Sequence, residues 1–240
     1  MRRLARGHEA RRGMHEGETM NIFDIIGPVM IGPSSSHTAG ACRLGLLAAA
    51  ILGGRPVKAE ILLHGSFAHT YKGHGTDRAL AAGLMGWQPD DLRIPQALEL
   101  AEKEGLQYTF DRVDLGSMAH PNTVWFKLED EEHGSCEVIG SSIGGGQVKV
   151  TSIDGFAVEL TGSMPALLIP HRDEPGVVAV VSTILAMKGI NIASMRVFRD
   201  NKGGVASMVM ECDQEVPEAV VRQLEKLDPV LSVRFVDRVS

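Results

Sequence analysis

The chain has 240 residues, a formal net charge of −6, 44% apolar residues with only 5% aromatic ones, and three cysteines. This length allows one large or two small domains, and the near-average apolar fraction excludes a disordered chain, a collagen-like repeat or a coiled coil. The mild acidity disfavours nucleic acid as a partner, because neutralising phosphates requires a concentrated basic surface. We therefore expect two modest globular domains.

Residues 1–19 carry five arginines and three glutamates, and no apolar core of a secretory signal follows them. No window approaches the roughly 18 apolar residues of a membrane span. We expect a protein that does not enter a membrane, with residues 1–19 as a disordered extension or a misassigned start and the folded chain beginning at Met20.

Hydrophobic periodicity in the next stretch predicts a mixture of helices and strands separated by Gly, Asn and Asp. The predicted helices are 39–52, 76–84 and 94–104, and the predicted strands are 57–64, 107–113, 123–128, 137–142 and 147–150. A break rich in small residues at 161–165 ends this half. We predict a first domain of α+β class over 20–160.

The second half has a more regular pattern. Its predicted elements are a strand at 166–170, a helix at 177–188, strands at 190–199 and 205–211, a helix at 217–227 and a strand at 231–236. The order βαββαβ predicts a ferredoxin-like domain over 164–240, in which both helices cover one face of an antiparallel sheet.

The segment 32–40 places four hydroxyls and one imidazole at the start of the first predicted helix. Helix capping accounts for one or two of the hydroxyl residues, which are Ser34, Ser35, Ser36 and Thr38. The others, with the free amides of a helix start, would hold a carboxylate, while His37 can accept or deliver a proton near neutral pH. A Ser–His hydrolase is disfavoured, because Ser36 and His37 are adjacent and no G-x-S-x-G elbow occurs.

A second polar cluster follows at 64–77. Its three histidines are five residues apart and share no helix or strand face, so no metal site is predicted there. Lys72 could suggest a Schiff base with pyridoxal phosphate, but the sequence has neither the glycine loop that binds the phosphate nor the large domain of such an enzyme. Residues 73–77 are predicted as a tight loop that leads into a capped helix, with His74 exposed for contact with a substrate or partner.

Two later motifs are most simply explained by turns. These are 120–123, before a strand, and 141–146, between two strands. Three consecutive glycines in the second motif would also permit a ligand or a neighbouring chain to approach the backbone closely.

In the second domain, a polar loop with His171 and Asp173 leads through Gly176 into a helix, and Asn191 follows the helix end. The helix start suits a carboxylate ligand, although Asp173 is equally suited to cap the helix. The span from about 164 to 237 resembles an ACT domain, an amino-acid-sensing module, and is particularly similar to the regulatory domain of phosphoglycerate dehydrogenase.

The ACT resemblance implies that His171, Asp173 and Asn191, with Gly176 in the loop, bind L-serine at an interface between two copies of the domain. It also implies self-association, because ACT domains pair side by side. Asp173 stands where the comparison has Asn.

The motifs at 32–38, 65–77, 120–123 and 142–146, followed by an ACT domain, are together similar to the β subunit of iron–sulfur-dependent L-serine dehydratases. The resemblance covers nearly everything after Met20. It implies a two-chain or fused enzyme that converts L-serine to pyruvate and ammonia, with a [4Fe-4S] cluster held by cysteines of the α part, here a partner α subunit. The three scattered cysteines of this chain agree with that division, since a cluster usually requires four closely placed thiolates. The odd number of widely separated cysteines indicates a reducing cytoplasm as the location.

The same resemblance implies that the 34–38 loop faces the cluster across the α–β interface. We expect His37 to be the base that removes the α-proton, with Ser35, Ser36 and Thr38 orienting the substrate carboxylate. Contacts with the substrate or the interface are expected at Ser34, His74, Thr76, Asp77, His120, Asn122, Gly144 and Gly145. Two alternatives remain: a non-catalytic, serine-binding regulatory or scaffold subunit, and a free-standing ACT sensor, which the lack of a basic DNA-reading segment disfavours.

Overall fold

The computed structural model describes residues 29–132, 134–199 and 201–239. The predicted extension at 1–19 and the predicted start of the folded chain at Met20 lie outside the described residues. No helix in the described part of the chain has the length and apolar character needed to cross a membrane.

The first half combines helices with a sheet. A π-helical turn, Ser35–Ala39, leads into helix α1 (Gly40–Leu52), and β1 (Lys58–Leu63), α2 (Gly65–His74), α3 (Thr76–Leu84), a 3-10 turn (Ile94–Gln96) and α4 (Ala97–Lys103) follow. The remaining strands of this half are β2 (Gln107–Arg112), β3 (Thr123–Asp130), β4 (Gly134–Gly144), β5 (Gln147–Ile153) and β6 (Phe156–Leu160). Within the described residues the strand order is β2-β1-β3-β4-β5-β6, with β1 and β2 parallel and the other pairs antiparallel.

The helices and strands predicted in this half are confirmed, with ends shifted by a few residues. Helix α2 and strand β6 were not predicted. The expectation of a tight loop at 73–77 is wrong in detail, because Gly73 and His74 form the last turn of α2. Only Gly75, at φ +69°, separates α2 from α3, and no side chain caps α3.

Helices α1 and α3 pack closely against each other. A Cβ atom built on Gly83 would lie 2.0 Å from the carbonyl oxygen of Cys42, and one on Gly45 would lie 2.4 Å from that of Leu80. Glycine at both positions therefore lets the two backbones touch, as in helix pairs that use small residues at their crossing. Fully buried apolar side chains from these helices and the sheet fill the first core, among them Leu47, Leu80 and Phe126.

The second half has the predicted order βαββαβ. Its elements are β7 (Ala166–Arg172), α5 (Val177–Met187), β8 (Ile192–Arg199), β9 (Val205–Cys212), α6 (Glu218–Glu225) and β10 (Arg234–Val236). Within the described residues the strand order is β10-β7-β9-β8 and every pair is antiparallel. The α+β class and the ferredoxin-like plan are thus confirmed.

Strand β7 contributes to two cores at once. Leu167 and Ile169 belong to the core under α5 and α6, whereas Ala166 and Leu168 belong to the core of the first half. Successive side chains of a strand point to opposite faces, so the second sheet lies between its own helices and the first half of the chain. Arg234 and Asp154 form an ion pair across this junction, with 3.5 Å between Nη1 and Oδ2.

Candidate active site

The hydroxyl-rich turn forms the entrance to α1. Ser34 has an extended backbone (φ −145°, ψ 127°), and its Oγ accepts a hydrogen bond of 3.3 Å from the backbone N–H of His37. The Thr38 N–H donates to the Ser34 carbonyl at 2.9 Å. Ser34 is therefore the residue that caps this turn, as expected for one or two of the hydroxyl residues.

His37 is held through both ring nitrogens. Its Nδ1 lies 3.2 Å from Ser36 Oγ, and its Nε2 lies 3.2 Å from Ser66 Oγ. A neutral imidazole has one N–H and one lone pair, so it can donate to one of these hydroxyls while it accepts from the other. This arrangement fixes the orientation of the half-buried ring.

Two more rings adjoin His37. Phe67 lies edge-on with its ring centroid 5.1 Å away, and the His74 centroid lies 4.9 Å away. Burial lowers the pKa of His37 from its ordinary value, and the nearby His74 lowers it further. A lowered pKa keeps the imidazole neutral at neutral pH, the form that accepts a proton.

Helix α2 supplies both Ser66 and His74. Residues spaced by four share a face of an α-helix, so 66, 70 and 74 form one row along α2. Sequence reasoning did not single out Ser66, because α2 was not recognised as a helix. The spacing of Ser66 and His74 would have indicated their common face if it had been.

The other histidines of this cluster are engaged elsewhere. His64 precedes α2, and its Nδ1 accepts a hydrogen bond of 3.2 Å from the Leu115 N–H. The exposed His69 has its Nδ1 2.6 Å from the Gly65 carbonyl oxygen. Among the described residues, no three His, Cys, Asp or Glu side chains are grouped so that they could hold a metal ion.

The 120–123 turn and the end of β4 join the same region. The Pro121 carbonyl accepts a hydrogen bond of 3.4 Å from the Phe67 N–H, and the Asn122 carbonyl accepts one of 3.0 Å from the Ser142 N–H. Ser142 in turn packs against the start of α1, where a Cβ atom on Gly40 would lie 2.0 Å from its Oγ. The fold thus brings four of the sequence motifs together around the N-terminal end of α1.

Several polar atoms here are buried without a hydrogen-bond partner among the described residues. They are Thr38 Oγ1, Thr76 Oγ1, Asn122 Oδ1 and Ser142 Oγ. Thr38 is only 2% exposed and lies under Gly32, on which a Cβ atom would be 2.4 Å from Thr38 Cγ2. Ser34, Ser35 and Ser36 are half-buried, and Ser34 Oγ already accepts from the His37 N–H, so Ser35 and Ser36 are the hydroxyls of the turn left for a ligand.

The remaining predicted site residues lie around this centre. His74 is exposed, whereas Asp77 is 8% exposed on α3, and burial raises the pKa of its carboxyl group. His120 is exposed, and its Nδ1 accepts a hydrogen bond from the Asn122 N–H at 3.1 Å.

Gly144 and Gly145 form the β4–β5 hairpin turn at φ +109° and +59°. A Cβ atom on either glycine would meet nothing within 4 Å. Left-handed backbone favours glycine over other residues, so turn geometry alone accounts for this pair.

The predicted effector residues lie at two ends of the second sheet. His171 is 2% exposed, with its Nδ1 2.9 Å from the Ile169 carbonyl oxygen. Asp173 accepts hydrogen bonds from the Gly203 N–H at 3.0 Å and from Arg199 Nη1 at 3.2 Å. These partners, the Gly203 amide foremost, hold the pKa of Asp173 below its ordinary value.

Asp173 does not cap helix α5. The helix begins after Gly176, at φ +96°, without a side-chain cap. Capping by Asp173, one of the two functions considered for it, is therefore wrong, because its carboxylate is engaged by the β8–β9 hairpin instead.

Asn191 lies far from Asp173 within one chain. Its Nδ2 donates to Asp213 Oδ2 at 2.6 Å, just before β8 begins at Ile192. Asp173 contacts Arg199, the last residue of β8, so the strand separates the two groups by about 25 Å at 3.3 Å per residue. A single chain does not bring them together.

The cysteines do not fit an iron–sulfur cluster. Burial raises the pKa of the Cys42 and Cys136 thiols to about 12 and also raises that of Cys212. Cys42 and Cys136 lie in the first core, while Cys212 lies in the second. A cluster is bound by several closely placed thiolates, whereas these cysteines are separate thiols whose raised pKa values favour the protonated form.

Two known families match this chain, one over each half of the fold. The family model described as serine dehydratase beta chain matches residues 20–153, and that of the AHAS small subunit-like ACT domain matches residues 167–232.

Two relatives match over almost their full length. The probable L-serine dehydratase beta chain of Bacillus subtilis is 44% identical over 213 residues, which cover 89% of this chain and 96% of that protein. The L-serine dehydratase beta chain of Peptoniphilus asaccharolyticus is 39% identical and is covered to 98%, with 90% of this chain aligned.

A third relative is a longer protein. The D-3-phosphoglycerate dehydrogenase of Archaeoglobus fulgidus is 26% identical over 200 residues, which cover 81% of this chain and 37% of that protein. The similarity therefore extends beyond the ACT half of the chain.

Proposed function

The chain belongs to the serine dehydratase beta chain family, and from that premise we propose that it is the β subunit of an iron–sulfur-dependent L-serine dehydratase. With a partner α subunit it would convert L-serine to pyruvate and ammonia in the cytoplasm. In this proposal, the residues of this chain bind the carboxylate of the substrate and remove its α-proton.

The observation that carries the proposal is the environment of His37. Its ring is fixed by Ser36 and Ser66, and burial together with His74 lowers its pKa. A neutral, oriented imidazole beside a polar helix start is suited to remove a proton from a bound amino acid. We assign it the role of general base.

The turn that precedes α1 suits the substrate carboxylate. The first N–H groups of a helix lack intrahelical partners and attract anions, and the hydroxyls of Ser35 and Ser36 lie beside them. Ser34 shapes the turn by capping it, so its hydroxyl supports the site indirectly.

The proposed [4Fe-4S] cluster belongs to the α subunit. The three thiols of this chain are buried and unsuited to it, so the cysteine ligands are assigned to the partner.

The ACT half is proposed to bind L-serine between two copies of the chain. Strand β8 is an edge of its sheet and exposes apolar side chains, with Met195 43% and Val197 42% exposed. Antiparallel pairing of two β8 edges would bring Asn191 of one copy towards Arg199 and Asp173 of the other, with His171 two strands further into the sheet. That geometry supports self-association and a shared effector site.

The direct test is His37→Ala in enzyme reconstituted anaerobically with the α subunit, iron and sulfide. We expect assembly by size-exclusion chromatography and cluster absorbance to be unchanged, while pyruvate formation falls by about 100-fold or more, because a general base contributes 10²–10⁴-fold. His69→Ala is the matched control, since His69 is an exposed histidine of α2 that does not contact His37.

Turnover retained by His37→Ala would contradict the assignment. Loss of assembly in that variant, or activity of the cluster-loaded α subunit alone, would favour the non-catalytic regulatory or scaffold subunit instead.

A further inference from the structure

A cleft of about 320 Å³ lies where α1, the β4–β5 hairpin and the segment that joins the two sheets meet. Its lining includes Arg43, Gln147, Val148, Thr161, Ser163 and Val239. None of these residues contacts His37 or belongs to the predicted effector residues of the ACT half. The cleft is therefore a separate feature of the fold.

Arg43 is the charged group of the cleft. Its Nη1 donates a hydrogen bond of 3.0 Å to the Gly146 carbonyl oxygen, and within the described residues it forms no ion pair. A guanidinium carries five N–H donors, so most of them remain available. The residues that line the cleft include no Asp or Glu, and the positive charge there is not neutralised by a neighbour.

Further polar donors lie beside Arg43. The hydroxyls of Thr161 and Ser163 are 2.8 Å apart and both are exposed, and Gln147 adds an amide. Arginine with hydroxyl and amide donors is the combination that recognises carboxylate and phosphate oxygens.

The rest of the wall is apolar and firmly held. Val148 and Val239 line it, and the Val239 N–H donates to the Gly162 carbonyl at 2.8 Å. Because Gly162 belongs to the joining segment, this wall connects the second sheet to the first half. A ligand with a short hydrocarbon part beside its charged group matches such a surface.

We infer that this cleft binds a small organic anion, with its carboxylate or phosphate group on Arg43 and its apolar part against Val148 and Val239. A ligand here contacts both halves of the chain, so its binding stabilises their junction.

The test is calorimetric titration of the full chain with butyrate, acetate, methyl phosphate and inorganic phosphate at constant ionic strength. We expect saturable binding with a Kd of about 10 mM or below. Butyrate should bind more tightly than acetate, because its hydrocarbon part contacts the apolar wall. Tighter binding of butyrate than of methyl phosphate would show that the cleft prefers a carboxylate, and the reverse order would show that it prefers a phosphate. On addition of that anion, hydrogen exchange should slow at 143–148 and 161–163.

Arg43→Gln should weaken binding by at least about tenfold, since it removes a charge-assisted hydrogen bond. Arg112→Gln is the matched control, an exposed arginine of β2 whose loss should leave binding unchanged. Ser163→Ala, a milder change, should weaken binding a few-fold.

Absence of saturation with every anion, or equal affinity of wild type and Arg43→Gln, overturns the inference. If Arg43→Gln does not fold, slowed exchange in the wild-type cleft decides: protection supports the site, and none contradicts it.

Discussion

The rings of His37 and His74 lie 4.9 Å apart between centroids, although the two residues belong to different elements. A charge on either ring raises the free energy of a charge on the other, because like charges at this distance repel. His74 therefore adds to the effect of burial, and both lower the pKa of His37.

The first prediction concerns that pH. A base must be unprotonated, so kcat/KM of the reconstituted enzyme should be lost as the pH falls through the pKa of His37 and be constant above it. His74→Gln removes the neighbouring imidazole that, after burial, is the second cause of the lowered pKa of His37. We expect the acidic limb of the pH profile to move to higher pH.

His69→Gln is the control for that profile and should leave the limb in place. A limb that moves to lower pH in His74→Gln, or does not move, would contradict the proposed coupling. The position of the limb is informative even if His74→Gln also reduces the maximal rate.

The second prediction concerns the α1–α3 crossing. Gly83→Ala improves helix propensity but places a Cβ atom 2.0 Å from the Cys42 carbonyl oxygen. We expect the free energy of unfolding to fall by about 1–3 kcal/mol, as for other overpacked cores. Chemical denaturation measures it.

Gly73→Ala is the matched control, because Gly73 is also helical but its Cβ would meet nothing within 4 Å. It should raise stability by about 0.5–1 kcal/mol. Equal effects at Gly83 and Gly73 would show that helix propensity rather than close packing governs the crossing.

The third prediction concerns Asp77. Burial raises its pKa, so the native state prefers the protonated carboxyl, and ionised Asp77 destabilises the fold at pH above that raised pKa. Asp77→Asn retains an oxygen for the Arg78 N–H, to which Asp77 Oδ1 now bonds at 2.9 Å. We expect the variant to have a higher Tm than wild type at pH 7.

The gain should disappear as the pH falls below the ordinary pKa of an aspartate, where Asp77 is protonated in both the native and the unfolded state. Asp111→Asn, at an exposed position of β2, should change Tm little at either pH. A gain that is independent of pH would refute the assignment to burial of charge.

The fourth prediction concerns the shared effector site. Asp173→Ala and Asn191→Ala should each abolish calorimetric binding of L-serine by the full chain. A dimer that contains one copy of each variant retains one of its two sites with both wild-type groups. Random mixing makes half of the dimers of this kind, so it should restore binding at about a quarter of the wild-type stoichiometry. A site formed within one chain would not be restored by mixing.

Regular elements with strong patterns could be predicted from the sequence. The βαββαβ half and the helix Thr76–Leu84 have clear periodicity and glycine ends, and the structure confirms them. Helix α2 was missed because Ser66, Thr70 and Gly73 have low helix propensity, so tertiary contacts such as the burial of Phe67 stabilise it instead.

The candidate site was predictable in its residue types but not in its contacts. His37 and its neighbouring serines follow from their position at a helix start. Ser66 and His74 contact His37 only because α2 forms and places them there. Gly32 packs on Thr38 only because the preceding loop adopts one particular conformation. Such long-range contacts have no signature in a single sequence.

Strand β7, with one row of side chains in each core, has a consequence for cooperativity. Separation of the halves at 161–165 would expose Ala166, Leu168, Val209 and Val236 to water on one fragment and leave the facing core open on the other. The chain is therefore expected to melt in a single transition, and the ACT half to be a poor candidate for transfer to another protein. Binding of an effector to the second sheet would therefore influence the first half through the packed core that the two halves share, rather than through a hinge.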